Sequence, residues 1–188
     1  MAAHLGKDVL AVQKGAVIDC ELINKIKLIE TPVPPRPEYP YDAALNICIV
    51  ADKLIYNPKS ADSRIVSAFD GIKLACKQGY TKCSVCVVDE NSIITADKKI
   101  AAIASAAGMN VLTVGEKLAV LDGFEHGFIG GASFKISADE MAFTGVINDE
   151  AERSRIEHFL NERGVAAVYL TEMPLFDIGS AIPIIEKI

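Results

Sequence analysis

Short apolar runs, each introduced by one small polar residue, recur along this chain. DVLAV begins at Asp8, NICIV at Asn46, SVCVV at Ser84, SFKIS at Ser133 and SAIPI at Ser180, starts that fall 38, 38, 49 and 47 residues apart. Spacings of that size mark repeated supersecondary units. Turn-forming segments follow four of the runs (QKG, ADK, DENS and SADE), and their residues tolerate tight backbone conformations. A second apolar run then returns in each case: AVID, LIYN, IITAD and MAFTG. Next come polar residues at Asp19, Ser60, Asp97 and Asn148, whose side-chain oxygens can accept bonds from the unpaired N–H groups of a helix start.

Two of the predicted helices are amphipathic. Ile156, Phe159 and Leu160 share one face of ERSRIEHFLNERG, Asp149, Glu150 and Glu152 lie at its dipole-positive end, and Gly164 terminates it. In KKIAAIASAAG the face is narrower, made of Ile100, Ile103, Ala104 and Ala107 and closed by Gly108. A further strand completes each repeat: KLIET from Lys27, GIKLAC from Gly71, NVLTV from Asn110 and AAVYLT from Ala166. The predicted unit is therefore β-β-α-β, present four times, with a fifth copy reduced to the strand at Ser180. Pro183 suits that last strand, because proline cannot donate to a ladder and belongs at an edge. The proline-rich TPVPPRPEYP joins the first unit to the second as a stiff extended connector, with the repeat in phase across it, so residues 1–188 read as one domain.

Composition narrows the partners. A chain of 188 residues that is 51% hydrophobic can bury a substantial core. A net charge of -6 with dispersed lysines argues against a nucleic-acid surface, which needs a basic stripe. The longest uncharged stretch, Ile100 to Gly115, is interrupted by Gly108 and Asn110 and too short for a membrane span. MAAHLGKDVLAVQKG carries no export pattern, which leads to an expected cytoplasmic location. Five cysteines, an odd number, read as reduced thiols.

The phrases YPYDAALNICIV, QGYTKCSVCVVDENSIITAD, GFIGGASFKI and PLFDIGSAIPI, on the repeated β-β-α-β frame, resemble the pentein or guanidino-group-modifying-enzyme fold, in an uncharacterised bacterial branch. The resemblance covers the chain from about Ala3 onward. It implies an α/β propeller with a pseudo-fivefold axis, here with one blade incomplete. Catalytic penteins attack a guanidino carbon with a cysteine in the last blade, assisted by histidine and carboxylates. The corresponding stretch here, FDIGSAIPI, has Ser180 and no cysteine, so that activity does not carry over. Other members of the fold are noncatalytic and bind ribosomes.

Equivalent strand starts in such a ring would converge, bringing Asn46, Ser84, Ser133 and Ser180 together with Asp8 and with the preceding Asp42, Lys82 and Asp177. One reading is that small polar residues satisfy backbone groups where strands begin. The other is a pocket for an amino-acid-like or guanidine-like molecule, in which Asp42 and Asp177 hold a cation, Lys82 a carboxylate, and Asn46, Ser84, Ser133 and Ser180 the remaining polar groups. Catalysis is left open, with Cys83 as candidate nucleophile and His126 as candidate general base. His158 reads as solvated, and His4 as part of a fraying terminus. Cys83 and Cys86 have the spacing of a metal or redox pair, but positions i and i+3 of a strand face opposite ways, so Cys86 reads as a wall residue. Gly130 and Gly131 read as a close backbone approach, since no Lys-Ser/Thr pair follows to make a phosphate loop. Neither metal nor cofactor is expected. The alternative function is a noncatalytic protein-binding or oligomeric module. A homo-oligomer would cover the free edge of the Ser180 strand and its Ile182, Ile184 and Ile185.

Overall fold

The computed structural model describes residues 2–6, 9–16, 26–32, 34 and 36–182. Among them, twelve strands form four sheets of three. The sheets are β1 (Ala2–His4), β2 (Val9–Val12) and β3 (Lys27–Glu30); β4 (Cys48–Val50), β5 (Lys53–Tyr56) and β6 (Ile72–Ala75); β7 (Val85–Asp89), β8 (Ser92–Thr95) and β9 (Asn110–Thr113); and β10 (Ser133–Lys135), β11 (Glu140–Phe143) and β12 (Ala166–Tyr169). Every sheet has the same polarity: the first strand pairs antiparallel with the second, and the second pairs parallel with the third. A parallel pair needs a crossover, and helices supply it in the last three sheets: α1 (Ser63–Ala68), α3 (Lys98–Ala106) and α4 (Glu150–Asn161). The remaining helix, α2 (Thr81–Ser84), is a single turn leading into β7.

The apolar pattern explains the order within each sheet. Second strands are apolar on both faces and occupy the centre, as with Leu54 and Ile55, Ile93 and Ile94, or Met141 to Phe143, all fully buried. Third strands lie at an edge, where Lys27, Lys73, Asn110 and Ala166 are exposed.

The chain divides into two compact units, Met1–Thr81 with Ile182–Ile188, and Lys82–Ala181. In the first, Leu45, Leu54 and Ile65 form one apolar cluster and Leu10, Val12 and Ile26 another, the latter joined by Ile182. In the second, Cys86, Ile94, Met141, Phe143, Ile156 and Leu160 belong to one larger core.

Several expectations change in register. The run at DVLAV is the middle strand of its sheet, since β1 precedes it and pairs Ala2 with Val12. Asp8 and Asp19 lie outside the described residues. In the fourth sheet the match to the third slips by one residue. Ser133 faces Phe143 as Val85 faces Thr95, so Phe134, not Lys135, shares the ladder position of Cys86 and Cys48. Because strand side chains alternate, such a slip moves a residue to the other face. The fifth strand is absent from 180–182, which carry no strand pairing, and the rest of that run lies outside the described residues. Helix starts also move: Asp62 caps α1 in place of Ser60, and Asp149 caps α4 in place of Asn148.

Candidate functional site

In the first unit, a single 3-10 turn, Tyr41–Ala43, presents Asp42. The turn is closed by Tyr41 N–H donating to Glu38 O at 2.9 Å and Ala43 N–H donating to Pro40 O at 3.2 Å. Tyr80 donates its hydroxyl to Asp42 Oδ2 at 2.5 Å. The other carboxylate oxygen, Oδ1, is buried with no hydrogen-bond partner, a condition shared among the described residues by Ser60 Oγ. Tyr39 stands beside Tyr80, ring centroids 6.1 Å apart, and its hydroxyl accepts from Asn57 Nδ2 at 3.2 Å. Asn57 also reaches Lys77 O at 2.7 Å, fixing the loop before Tyr80. Gly79 gives this ring its room, since a Cβ there would meet the Tyr39 hydroxyl at 2.9 Å. Asn46 closes on the same turn through its N–H to Ala43 O at 3.0 Å, while its own carbonyl accepts from the buried Thr81 hydroxyl at 2.7 Å. Tyr80 as the partner of Asp42, with Tyr39 and Asn57 beside it, was not anticipated. Only the tyrosines in YPYD and QGYT hinted at an aromatic setting.

In the second unit, two loops meet around Asp177. Its Oδ2 accepts from Phe128 N–H at 2.8 Å and its Oδ1 from Gly179 N–H at 2.7 Å. The carboxylate is almost fully buried and packs where a Cβ on Gly131 would fall. Its neighbour Ile178 donates N–H to Gly131 O at 3.0 Å. Asp177 therefore staples the two loops together. Gly179 is gripped on its other side as well: Cys83 Sγ donates to Gly179 O at 2.6 Å and lies 3.7 Å from Ser180 Oγ. Gly130 has no space for a side chain, because a Cβ would press on the Val85 carbonyl and come within 2.6 Å of Lys82 O. The double glycine is thus a close backbone approach, as its sequence suggested.

The remaining candidates take separate places. Ser84 and Ser133 are buried. Ser84 O accepts from the Thr95 hydroxyl at 2.8 Å, and the Ser133 hydroxyl donates to Ile129 O at 2.7 Å. Lys82 is half-buried. His126 Nδ1 lies 3.1 Å from Gly127 O, with the ring set edgewise to Phe128. Cys83 and Cys86 do not act as a pair. The strand begins at Val85, so Cys83 sits on the helical turn facing Gly179, whereas Cys86 enters the core with its Sγ 3.9 Å from Met141 Sδ. Burial pushes the Cys86 thiol up to about 11, against the thiolate that nucleophiles and metal ligands require. Cys48, Cys76, Cys83 and Cys86 are reduced thiols, joined in no disulfide. Among the described residues, no three His, Cys, Asp or Glu side chains are grouped to hold a metal ion. None of the described helices is long and apolar enough to cross a membrane.

The structure thus joins Cys83 to Gly179 and Ser180 in one unit and Asp42 to Tyr80 in the other. The chain belongs to a family of unknown function (DUF6873), whose model matches residues 1–182. No curated protein and no solved structure matches it.

Proposed function

We propose that this chain is a pentein-like α/β propeller that binds a small cationic or zwitterionic molecule, with Asp42 receiving the cationic group. The observation that carries the reading is the divided state of the Asp42 carboxylate: Tyr80 holds Oδ2, while buried Oδ1 has no donor. A carboxylate oxygen kept from water without a donor is costly. An ammonium or guanidinium supplies both the missing donor and the opposite charge, and Tyr39 and Tyr80 offer aromatic faces beside it. The shared polarity of the four sheets supports the propeller, as does the packing of β7 beside β10 within the second unit. Four reduced thiols accord with a reducing, cytoplasmic setting. Asp177, whose oxygens each accept one backbone N–H, serves in this reading to hold its two loops, and the cation is assigned to Asp42.

A thermal-shift and calorimetric screen of amines, guanidines and amino acids tests the reading. At least one compound should raise the melting temperature by mass action. Asp42→Asn should weaken that compound by about 1.5 to 3 kcal/mol, the scale of a charge-assisted hydrogen bond. Absence of any response across the panel, or full retention of binding in Asp42→Asn, would refute it.

A further inference from the structure

The second unit carries an apolar surface that the Asp42 reading does not use. Its loops at 119–120 and 174–178 run side by side: Val120 N–H donates to Leu175 O at 2.8 Å, Asp177 N–H donates to Val120 O at 2.9 Å, and Val120 pairs in parallel with Phe176. Extended backbone sends alternate side chains to opposite faces. Leu175 and Asp177 accordingly point inward and are buried, while Pro174, Phe176 and Ile178 share the outer face with Val120. That face is open. Val120 and Ile178 are each 52% exposed, and Met173 and Phe124 on the adjoining turns are 61% and 73% exposed. Large side chains exposed together on neighbouring segments mark an interaction surface, and aromatic residues are its usual anchors.

Charge identifies the occupant. The same two loops carry exposed Glu116, Asp122, Glu125 and Glu172, against one cation, Lys117, which is already paired with Glu125 at 2.8 Å. An apolar centre within a net acidic rim suits a partner that is apolar in the middle and basic around it. It disfavours an anionic lipid surface. A second copy of this chain, with net charge -6, would set one acidic rim against another. We infer that the face formed by Val120, Pro174, Phe176 and Ile178, together with exposed Phe124 and Met173 on the adjoining turns, docks a basic amphipathic segment of another protein.

Fluorescence anisotropy with a labelled amphipathic leucine–lysine peptide, and with its leucine–glutamate counterpart, tests this. The lysine peptide should bind with an affinity that falls as salt rises, and the glutamate peptide should not bind. Phe124→Ser keeps the net charge and alters a side chain already largely in water, so its unfolding midpoint should match the wild type. Its affinity for the lysine peptide should drop by about tenfold or more. Glu125→Lys should weaken binding as well, whereas Glu150→Lys on α4 should do so far less, which separates the face from general attraction to an acidic protein. Failure of the lysine peptide to bind, or unchanged affinity in Phe124→Ser, would overturn the inference. Concentration-dependent dimerisation in sedimentation, abolished by Phe124→Ser, would instead give this face to a second copy.

Discussion

Cys86 and Cys83 show how two thiols three residues apart acquire different chemistry from their surroundings. Cys86 is sealed in the core beside Met141, and desolvation holds its thiol protonated, with a pKa pushed up to about 11. The direction fixes a pH dependence. An unfolded chain ionises this thiol near its ordinary value, whereas the folded chain keeps the proton until much higher pH, so the unfolded state holds fewer protons in between. Stability from this group is complete below about pH 9 and is lost as pH rises towards 11. The fall should be about 2 to 3 kcal/mol, because each tenfold difference in proton affinity between the two states is worth about 1.4 kcal/mol. Urea titrations of the wild type and Cys86→Ala between those limits measure it, because the mutant should lack this component. Tyr169, raised first by burial and then by its hydrogen bond to Glu157, contributes a decline of its own that Cys86→Ala leaves in place. Parallel pH profiles for the two proteins would mean that Cys86 ionises as freely in the native state as in the unfolded chain.

At the scale of elements, periodicity in the sequence revealed the three-stranded unit and the crossover helices α3 and α4, because central strands need continuous apolar runs and these helices need one apolar face, while α1 was marked only by a polar start. It did not fix the first sheet, where β1 has three residues and its run is too short to stand out beside DVLAV. Nor did it fix registers, since Ser133 and Ser84 look alike in sequence but differ by one ladder position. The site was less legible for a related reason. Asp42 was visible as a carboxylate, but Tyr80 reaches it across 38 residues of sequence, and no local pattern encodes such a contact. Helix caps offer a direct check. Asp97 accepts from Lys99 N–H and Ile100 N–H at 2.8 and 3.0 Å, and Asp149 accepts from Ala151 N–H and Glu152 N–H, both at 3.0 Å. Changing either to Ala should cost about 0.5 to 2 kcal/mol in chemical denaturation. Asn148→Ala, next to the true cap, should stay within about 0.5 kcal/mol. Ser60→Ala should be neutral or stabilising, because it removes a buried hydroxyl without a partner. A larger loss at Asn148 than at Asp149 would reverse the assignment of that helix start.

For the molecule as a whole, the second unit has what independent folding requires. Lys82–Ala181 is continuous in sequence and contains both of its sheets, α3, α4 and one apolar core running from Cys86 to Leu175. Its two ends are tied within the unit: near one end, Cys83 accepts from Gly131 N–H through its carbonyl and donates to Gly179 O near the other. Asp177 then fixes Gly179 to the loop at Phe128. At about 100 residues, a segment of this kind buries enough surface to be stable alone. Expressed by itself, residues 82–181 should give a dispersed amide spectrum and one cooperative urea transition. Cys83→Ala in this fragment should lower the midpoint by releasing the Gly179 carbonyl, with a loss of about 0.5 to 1.5 kcal/mol for the missing hydrogen bond. The leucine–lysine peptide should still bind the fragment, since every residue of that face lies inside it. A fragment that is collapsed, with narrow amide dispersion and no cooperative transition, would show that its core depends on residues of the first unit.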